Sequence, residues 1–226
     1  MKILAIDTST RFLCLGLSEG KRIYEYKLEL GTKHSALLIP TIKRALDALG
    51  WRMPDIDYFA CGLGPGSFTG IRIGVATIKG LSWAMGKPAL GVPTLDILAQ
   101  NIKDVEGDIA VALDAKRGLI YCGIYRKKKD KISRLRPYML LSCQEFFKAV
   151  KPGSIILGDA AGLYHQEMAK YIKGVNILDK DSWYPLPYNI ITLAMAGIKD
   201  KKAASSATLK PIYLYPKECQ IKTVGK

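Results

Sequence analysis

Ile3-Leu4-Ala5-Ile6-Asp7-Thr8-Ser9-Thr10 is an apolar run that ends on a carboxylate and three hydroxyls, and the rest of the chain is organised around it. Asp7 closes a first strand, Cys14 follows, and Gly16 stands nine positions after the aspartate. Asp114 and Gly123 repeat that spacing in the second half, with Cys122 beside the glycine. Working outward, residues 2–7, 12–18 and 22–29 read as strands joined by tight turns, with Glu19-Gly20 marking the second turn. A helix is expected at 35–49, with Leu38, Ile42, Ala45 and Leu49 on one face and Gly50 just past its end. Pro40 is expected to kink or shorten its first turns. A strand at 57–61, a helix at 71–85, a strand at 89–92 and a helix from Thr94 complete the half. The second half repeats the plan, with strands at 109–114, 119–125 and 132–140, a helix at 144–150, a strand at 154–158 and a helix at 163–172. The shared spacing and the matching order of elements favour a duplicated domain over coincidence.

Composition narrows the function. With 226 residues, 49% hydrophobic and 24% charged, the chain buries a core and is not of the disordered class. The apolar start meets Asp7 after four residues, which argues against a secretory signal. The uncharged run 182–198 is interrupted by Pro185, Pro187 and Asn189, leaving about ten residues of helix, too short for a bilayer. A cytoplasmic protein is expected, with no membrane partner. Five cysteines, Cys14, Cys61, Cys122, Cys143 and Cys219, show no Cys-x-x-Cys spacing and read as buried thiols.

The net charge of +14 is unevenly placed: residues 1–113 hold 13 basic and 11 acidic side chains, and residues 114–226 hold 21 and 9. Arg126-Lys127-Lys128-Lys129-Asp130-Lys131 is the densest patch, read as a solvated hairpin tip in preference to an RNA contact.

Gly62-Leu63-Gly64-Pro65-Gly66-Ser67-Phe68-Thr69-Gly70-Ile71-Arg72-Ile73-Gly74 carries the most specific signal. Its glycines let backbone come close to another group, and Ser67 or Thr69 is placed to cap the following helix. It is neither a Walker loop nor a dinucleotide fingerprint. The helix after it is apolar on nearly every face, broken mainly by Arg72 and Lys79, as for a helix buried from two sides. Gly70, Gly74, Gly80 and Ala84 suggest close approach of another backbone.

The duplicated unit resembles the actin-like ATPase family of sugar kinases, heat-shock ATPases and actin. Asp7-Thr8-Ser9-Thr10 matches that family's first phosphate loop, and Gly158-Asp159-Ala160-Ala161-Gly162 resembles a later loop near its nucleotide. The resemblance implies an α/β, actin-like ATPase fold: two duplicated lobes, each a mixed sheet flanked by helices, at residues 1–106 and 107–226. A narrower resemblance is to the TsaB family. It rests on 64–74, on 3–10, on His34-Ser35 to Pro40, on Pro93-Thr94-Leu95, and on Asp114-Ala115-Lys116-Arg117-Gly118. That resemblance implies a non-catalytic scaffold for TsaD, the enzyme that installs threonylcarbamoyl on adenosine beside a tRNA anticodon. TsaE joins the pair, ATP and metal belong to the partner subunits, tRNA is reached through the complex, and the chain alone forms a homodimer.

Chemistry of the chain's own is not expected. Asp7 is placed to serve a hydrated magnesium and Thr8 to Thr10 to donate to phosphate, but Asp7 reads more simply as fixing its own turn. These four are read as a vestigial nucleotide site. TsaD-like enzymes carry two metal-binding histidines four apart on the first helix, whereas here His34 is followed by Leu38. A metal is therefore not expected, and neither catalytic residues nor a Gly-x-Ser-x-Gly elbow are found. The expected partner interface is Ile71, Arg72, Gly74, Val75, Ile78, Lys79 and Ser82, with His34 and Leu38 beside them. The rival readings are a small ATP-dependent phosphotransferase, which needs Asp7 and tight magnesium-ATP, and a metallopeptidase, which needs metal at His34.

Overall fold

In β1 (Lys2–Asp7), Ile3 through Ile6 are all fully buried, because both faces of the strand are covered. Leu4 and Ile6 enter one core while Ile3 and Ala5 enter another, as the two-residue period of a strand requires. The computed structural model describes residues 1–216 apart from Thr32 and Asp104; Cys219 lies outside the described residues. β1 pairs antiparallel with β2 (Phe12–Glu19), which pairs with β3 (Arg22–Glu29). Parallel β4 (Tyr58–Gly62) and β5 (Ala89–Val92) complete a five-stranded sheet of order β3-β2-β1-β4-β5. Helices α1 (His34–Ala48) and α2 (Phe68–Met85) cover one face.

The second sheet repeats this layout. β6 (Gly107–Lys116), β7 (Leu119–Lys128) and β8 (Lys131–Arg134) are antiparallel, and β10 (Ile155–Leu157) and β11 (Asn176–Ile177) add in parallel after β9 (Met139–Ser142), which also pairs with β7. The order β8-β7-β6-β10-β11 matches that of the first sheet, so the duplication expected from Asp7/Gly16 and Asp114/Gly123 is present in the topology. One face carries α4 (Cys143–Ala149), α5 (Asp159–Leu163) and α6 (His165–Tyr171). Each half also sends a helix to the other. From α3 (Thr94–Ala99), Leu95, Leu98 and Ala99 pack on the second sheet, while Ile190, Ile191 and Ala194 of α7 (Pro187–Lys199) cover the free face of the first. Chain therefore crosses a 106/107 division in both directions. The arrangement is the actin-like ATPase fold.

Several expected elements differ in detail. The strand expected at 132–140 is two strands, β8 and β9, parted around Pro137, which lacks the N–H a ladder needs. The helix expected at 163–172 is present as α6, starting two residues later, and an unexpected short helix, α5, precedes it, parted from it at Tyr164 (φ −114°, ψ 26°). α1 runs unbroken through Pro40; Ala36 and Pro40 are both exposed, so the carbonyl that loses its donor meets water. The 203–207 segment, expected as a flexible link, instead bridges the sheet edge, with Ala204 and Ala89 exchanging backbone hydrogen bonds of 2.8 and 3.0 Å. Cys14, Cys61 and Cys122 are buried and Cys143 is half-buried; burial pushes the first three thiols up, Cys122 to about 12. No helix among the described residues is long and apolar enough to cross a membrane.

Candidate functional site

The loop after β1 faces a cleft of about 1000 Å³ between the lobes, lined by Ser9, Thr10 and Arg11 on one side and by Asp114, Lys116 and Asp159 on the other. Asp7 itself is buried beneath it, at 1% exposure. Its Oδ1 accepts from the Ser9 amide at 2.7 Å and the Ser9 hydroxyl at 2.6 Å, and its Oδ2 accepts from the Thr94 hydroxyl at 2.7 Å. Burial raises its pKa above the usual carboxylate value, against the lowering effect of these three donors. Thr94 Oγ1 in turn accepts from the Gly64 amide at 3.1 Å, tying the glycine turn to the carboxylate. Thr94 is visible in the sequence only as part of a family motif, yet it is the partner that completes Asp7.

The glycine turn closes on this loop from above. The Thr8 hydroxyl donates to Gly70 O at 2.7 Å, and the Ser67 amide donates to Ser9 O at 2.7 Å. Ser67 also caps α2, accepting from the Gly70 amide at 3.2 Å. Glycine is required because a Cβ at Gly70 meets Thr8 O at 2.1 Å, and one at Gly62 meets Asp7 Oδ2 at 1.9 Å. The residues expected as a vestigial nucleotide site are engaged internally: Asp7, Thr8 and Ser9 serve one another and the turn, while Thr10 Oγ1 bonds weakly to the Phe12 backbone at 3.3–3.4 Å. As placed, these side chains do not fit a magnesium–nucleotide: both Asp7 oxygens and the Thr8 and Ser9 hydroxyls point into the protein's own hydrogen bonds.

An Asp7→Ala substitution is expected to destabilise the chain by about 2 kcal/mol, because the Ser9 amide and hydroxyl and the Thr94 hydroxyl lose their acceptor in a buried place. Removing a buried carboxylate offsets part of that loss. Asp7→Asn, which keeps an oxygen for Ser9, is expected to cost less than half as much in urea unfolding.

On the opposite wall, the Asp114 amide donates to Asp159 Oδ1 at 2.8 Å, and Lys116 pairs with Asp114. Burial raises the Asp159 pKa. Lys116 and Arg117 adopt left-handed backbone (φ 66° and 55°) in the β6–β7 turn, which presents them at the cleft. The segment 211–215 straps across: the Ile212 amide donates to Leu63 O at 2.8 Å, Arg72 Nε donates to the Tyr213 hydroxyl at 3.0 Å, and the Tyr215 hydroxyl donates to Ala115 O at 2.8 Å. The segment thus docks on both lobes of its own chain.

The expected partner residues divide. Leu38 of α1 and Ile71, Gly74, Val75, Ile78 and Ser82 of α2 are all buried within the first lobe, so the faces they form are turned to their own sheet. His34 is buried too; its Nδ1 lies 3.0 Å from Gly31 O, and its Nε2 has no hydrogen-bond partner among the described residues. Among the described residues no group of three His, Cys, Asp or Glu side chains is arranged to hold a metal. Arg72 is exposed and stacks over Phe68 at 3.8 Å, and Lys79 is half-buried. The outward stripe of α2 is Thr69, Arg72, Ala76, Gly80 and Trp83, with Trp83 83% exposed. Beside it α1 exposes Leu37, Ile39 and Pro40.

Fold and site together define an actin-like ATPase-fold protein whose loop after β1 is closed by its own glycine turn. Residues 29–194 match the family model described as TsaD: tRNA N6-adenosine threonylcarbamoyltransferase. The tRNA threonylcarbamoyladenosine biosynthesis protein TsaB of Bacillus subtilis is 33% identical over 230 residues, covering 99% of this chain and 98% of that protein. The Escherichia coli protein of the same name is 33% identical over 134 residues, 58% of each chain. YeaZ from Pseudomonas aeruginosa is similar with a TM-score of 0.81 at 26% identity, covering 94% of this chain and 99% of that one. A structure described as an uncharacterized protein with similarity to peptidase YEAZ, from the same organism, gives 0.83 at 26% identity over 95% and 99%. The chain belongs to the TsaB family.

Proposed function

We propose that this chain acts in tRNA threonylcarbamoyladenosine biosynthesis as a non-catalytic partner that holds a TsaD-like enzyme in its active arrangement. Membership of the TsaB family supports the pathway. The non-catalytic part rests on one observation: Asp7, Thr8 and Ser9 bond to each other and to the glycine turn instead of offering donors to a ligand. In this reading a TsaE-like ATPase joins the pair, ATP and metal serve the partner subunits, and tRNA is met in the complex, in the cytoplasm. The exposed α1–α2 face receives the TsaD-like partner and, in its absence, a second copy of the chain.

The test is threonylcarbamoyl transfer to tRNA by purified TsaD-like and TsaE-like proteins with and without this chain. Transfer is expected to require the chain and to survive Asp7→Asn and His34→Ala within about threefold, once unfolding curves show both variants folded. Loss of transfer with an intact complex in either variant marks a working site. Tight magnesium-ATP binding abolished by Asp7→Asn marks a phosphotransferase instead.

A further inference from the structure

Lysines scattered through the second half meet at one end of its sheet. β6, β10 and β11 run parallel, so their N-terminal ends lie together, and antiparallel β7 ends and β8 begins beside them. The β7–β8 turn brings exposed Lys128, Lys129 and Lys131 to that end. The C-terminal ends of α4 and α6 lead into β10 and β11, and so deliver Lys148 and Lys151, and Lys170 and Lys173, all exposed, to the same place. Two interactions tie these segments together. Asp108 lies 2.6 Å from Arg126 and 3.5 Å from Lys151, and the Gly153 amide donates to Lys173 O at 3.0 Å.

The acidic groups here offset only part of this charge: Asp108 is shared by Arg126 and Lys151, Glu106 accepts from the Lys129 backbone amide at 3.0 Å, and exposed Asp130 sits in the β7–β8 turn, against seven exposed lysines. Lys127 is buried and gives its ammonium to Ile102 O at 2.7 Å, so it belongs to the fold rather than to the surface. A flat ring completes the patch: Tyr171, 61% exposed, stacks on Phe147 at 5.5 Å with Lys170 5.4 Å from its centroid. The cleft lies at the other end of β6, where Asp114 and Lys116 sit.

We infer that this end of the second lobe binds RNA directly, through phosphate contacts that are insensitive to sequence, with Tyr171 offering a stacking face. Fixed lysines on a rigid sheet end neutralise phosphates and release counterions, which gives affinity with a steep salt dependence. An exposed aromatic among cations suits an unpaired base. The choice of RNA over other polyanions rests on the tRNA pathway proposed above.

The experiment measures binding of the chain alone to a fluorescently labelled tRNA transcript between about 50 and 200 mM KCl, where the salt dependence is steep. Binding is expected, and the triple variant Lys128→Glu, Lys131→Glu, Lys173→Glu is expected to weaken it at least tenfold. Its log–log salt slope should flatten by about 0.7–0.9 for each phosphate no longer neutralised. A control with the same change in net charge, Lys21→Glu, Lys199→Glu, Lys201→Glu on the first lobe, is expected to lose no more than threefold. If the reversal variant does not fold, the same three positions changed to glutamine are expected to give a smaller loss and a flatter slope. Unchanged affinity in the folded variant, or an equal loss in the control, overturns the inference. So does binding to phosphatidylglycerol vesicles without binding to tRNA. Because no partner subunit is present, a failure here leaves the transfer result untouched, and a failed transfer assay leaves this one standing.

Discussion

Gly70→Ala is expected to cost the fold about 3 kcal/mol or more, whereas Gly80→Ala, ten residues along the same helix, is expected to stabilise it by about 0.5–1 kcal/mol. At Gly70 the added methyl falls 2.1 Å from Thr8 O and 3.2 Å from Thr8 C, both backbone atoms. Neither side can yield cheaply. The Thr8 hydroxyl already binds Gly70 O at 2.7 Å, and the Ser67 amide binds Ser9 O at 2.7 Å, so parting the two segments breaks the bonds that seat α2 on the β1 loop. At Gly80 nothing lies within 4 Å, and alanine gains only its helix propensity. Urea unfolding of the purified chain checks both, with the midpoint moving and the slope unchanged. In thermal terms the first variant should fall by roughly 6–12 °C. A neutral or stabilising shift for Gly70→Ala would mean that the turn does not press on the loop after β1.

That contrast shows where sequence reasoning runs out. Gly70, Gly74, Gly80 and Ala84 read as one row of small residues inviting a second backbone, but they serve two purposes. Gly70 and Gly74 make room for Thr8, while Gly80 and Ala84 face outward. An apolar helix shows no stripe in its sequence, so a reading of residues alone assigns the inward face of Ile71, Val75 and Ile78 to a partner and passes over Trp83. Strands β1 to β3 are legible because apolar runs meet turn signals directly, and β1 is recognisable by Asp7. The duplication is legible from paired aspartate–glycine spacings. The destination of α7 is not: its apolar pattern marks a buried helix without saying on which sheet, and the crossing back to the first lobe exists only in the tertiary fold. The basic end of the second lobe is visible as a charge excess, but its lysines lie in three segments that only sheet order brings together. The strap at 211–215 rests on pairings such as Arg72 with Tyr213, far apart in sequence and without a local signature.

Trp83→Ala is expected to weaken association with a TsaD-like partner by about thirtyfold or more, roughly 2 kcal/mol, while leaving the unfolding midpoint within experimental error. An indole 83% exposed contributes little to its own fold, so truncating it removes almost no intramolecular packing. It stands at the end of a stripe in which Ala76 and Gly80 have side chains too small to hold another helix away. Leu37 and Ile39, 36% and 51% exposed, are further apolar side chains on the neighbouring helix α1, near its start. A large ring flanked by small residues is the pattern of an anchor that enters a pocket while backbones approach closely around it. Ile78→Ala supplies the opposite signature. Ile78 is fully buried against the first sheet, so its truncation is expected to cost about 2–4 kcal/mol of stability. It should change affinity little at temperatures where the variant stays folded. Titration calorimetry on the purified pair, with denaturation of the free chain alongside, separates the two. The same Trp83 substitution should reduce self-association of the chain measured by sedimentation, since one face is proposed to serve both pairings. If Trp83→Ala binds within twofold of the original chain and Ile78→Ala does not, the partner does not sit on the α1–α2 face.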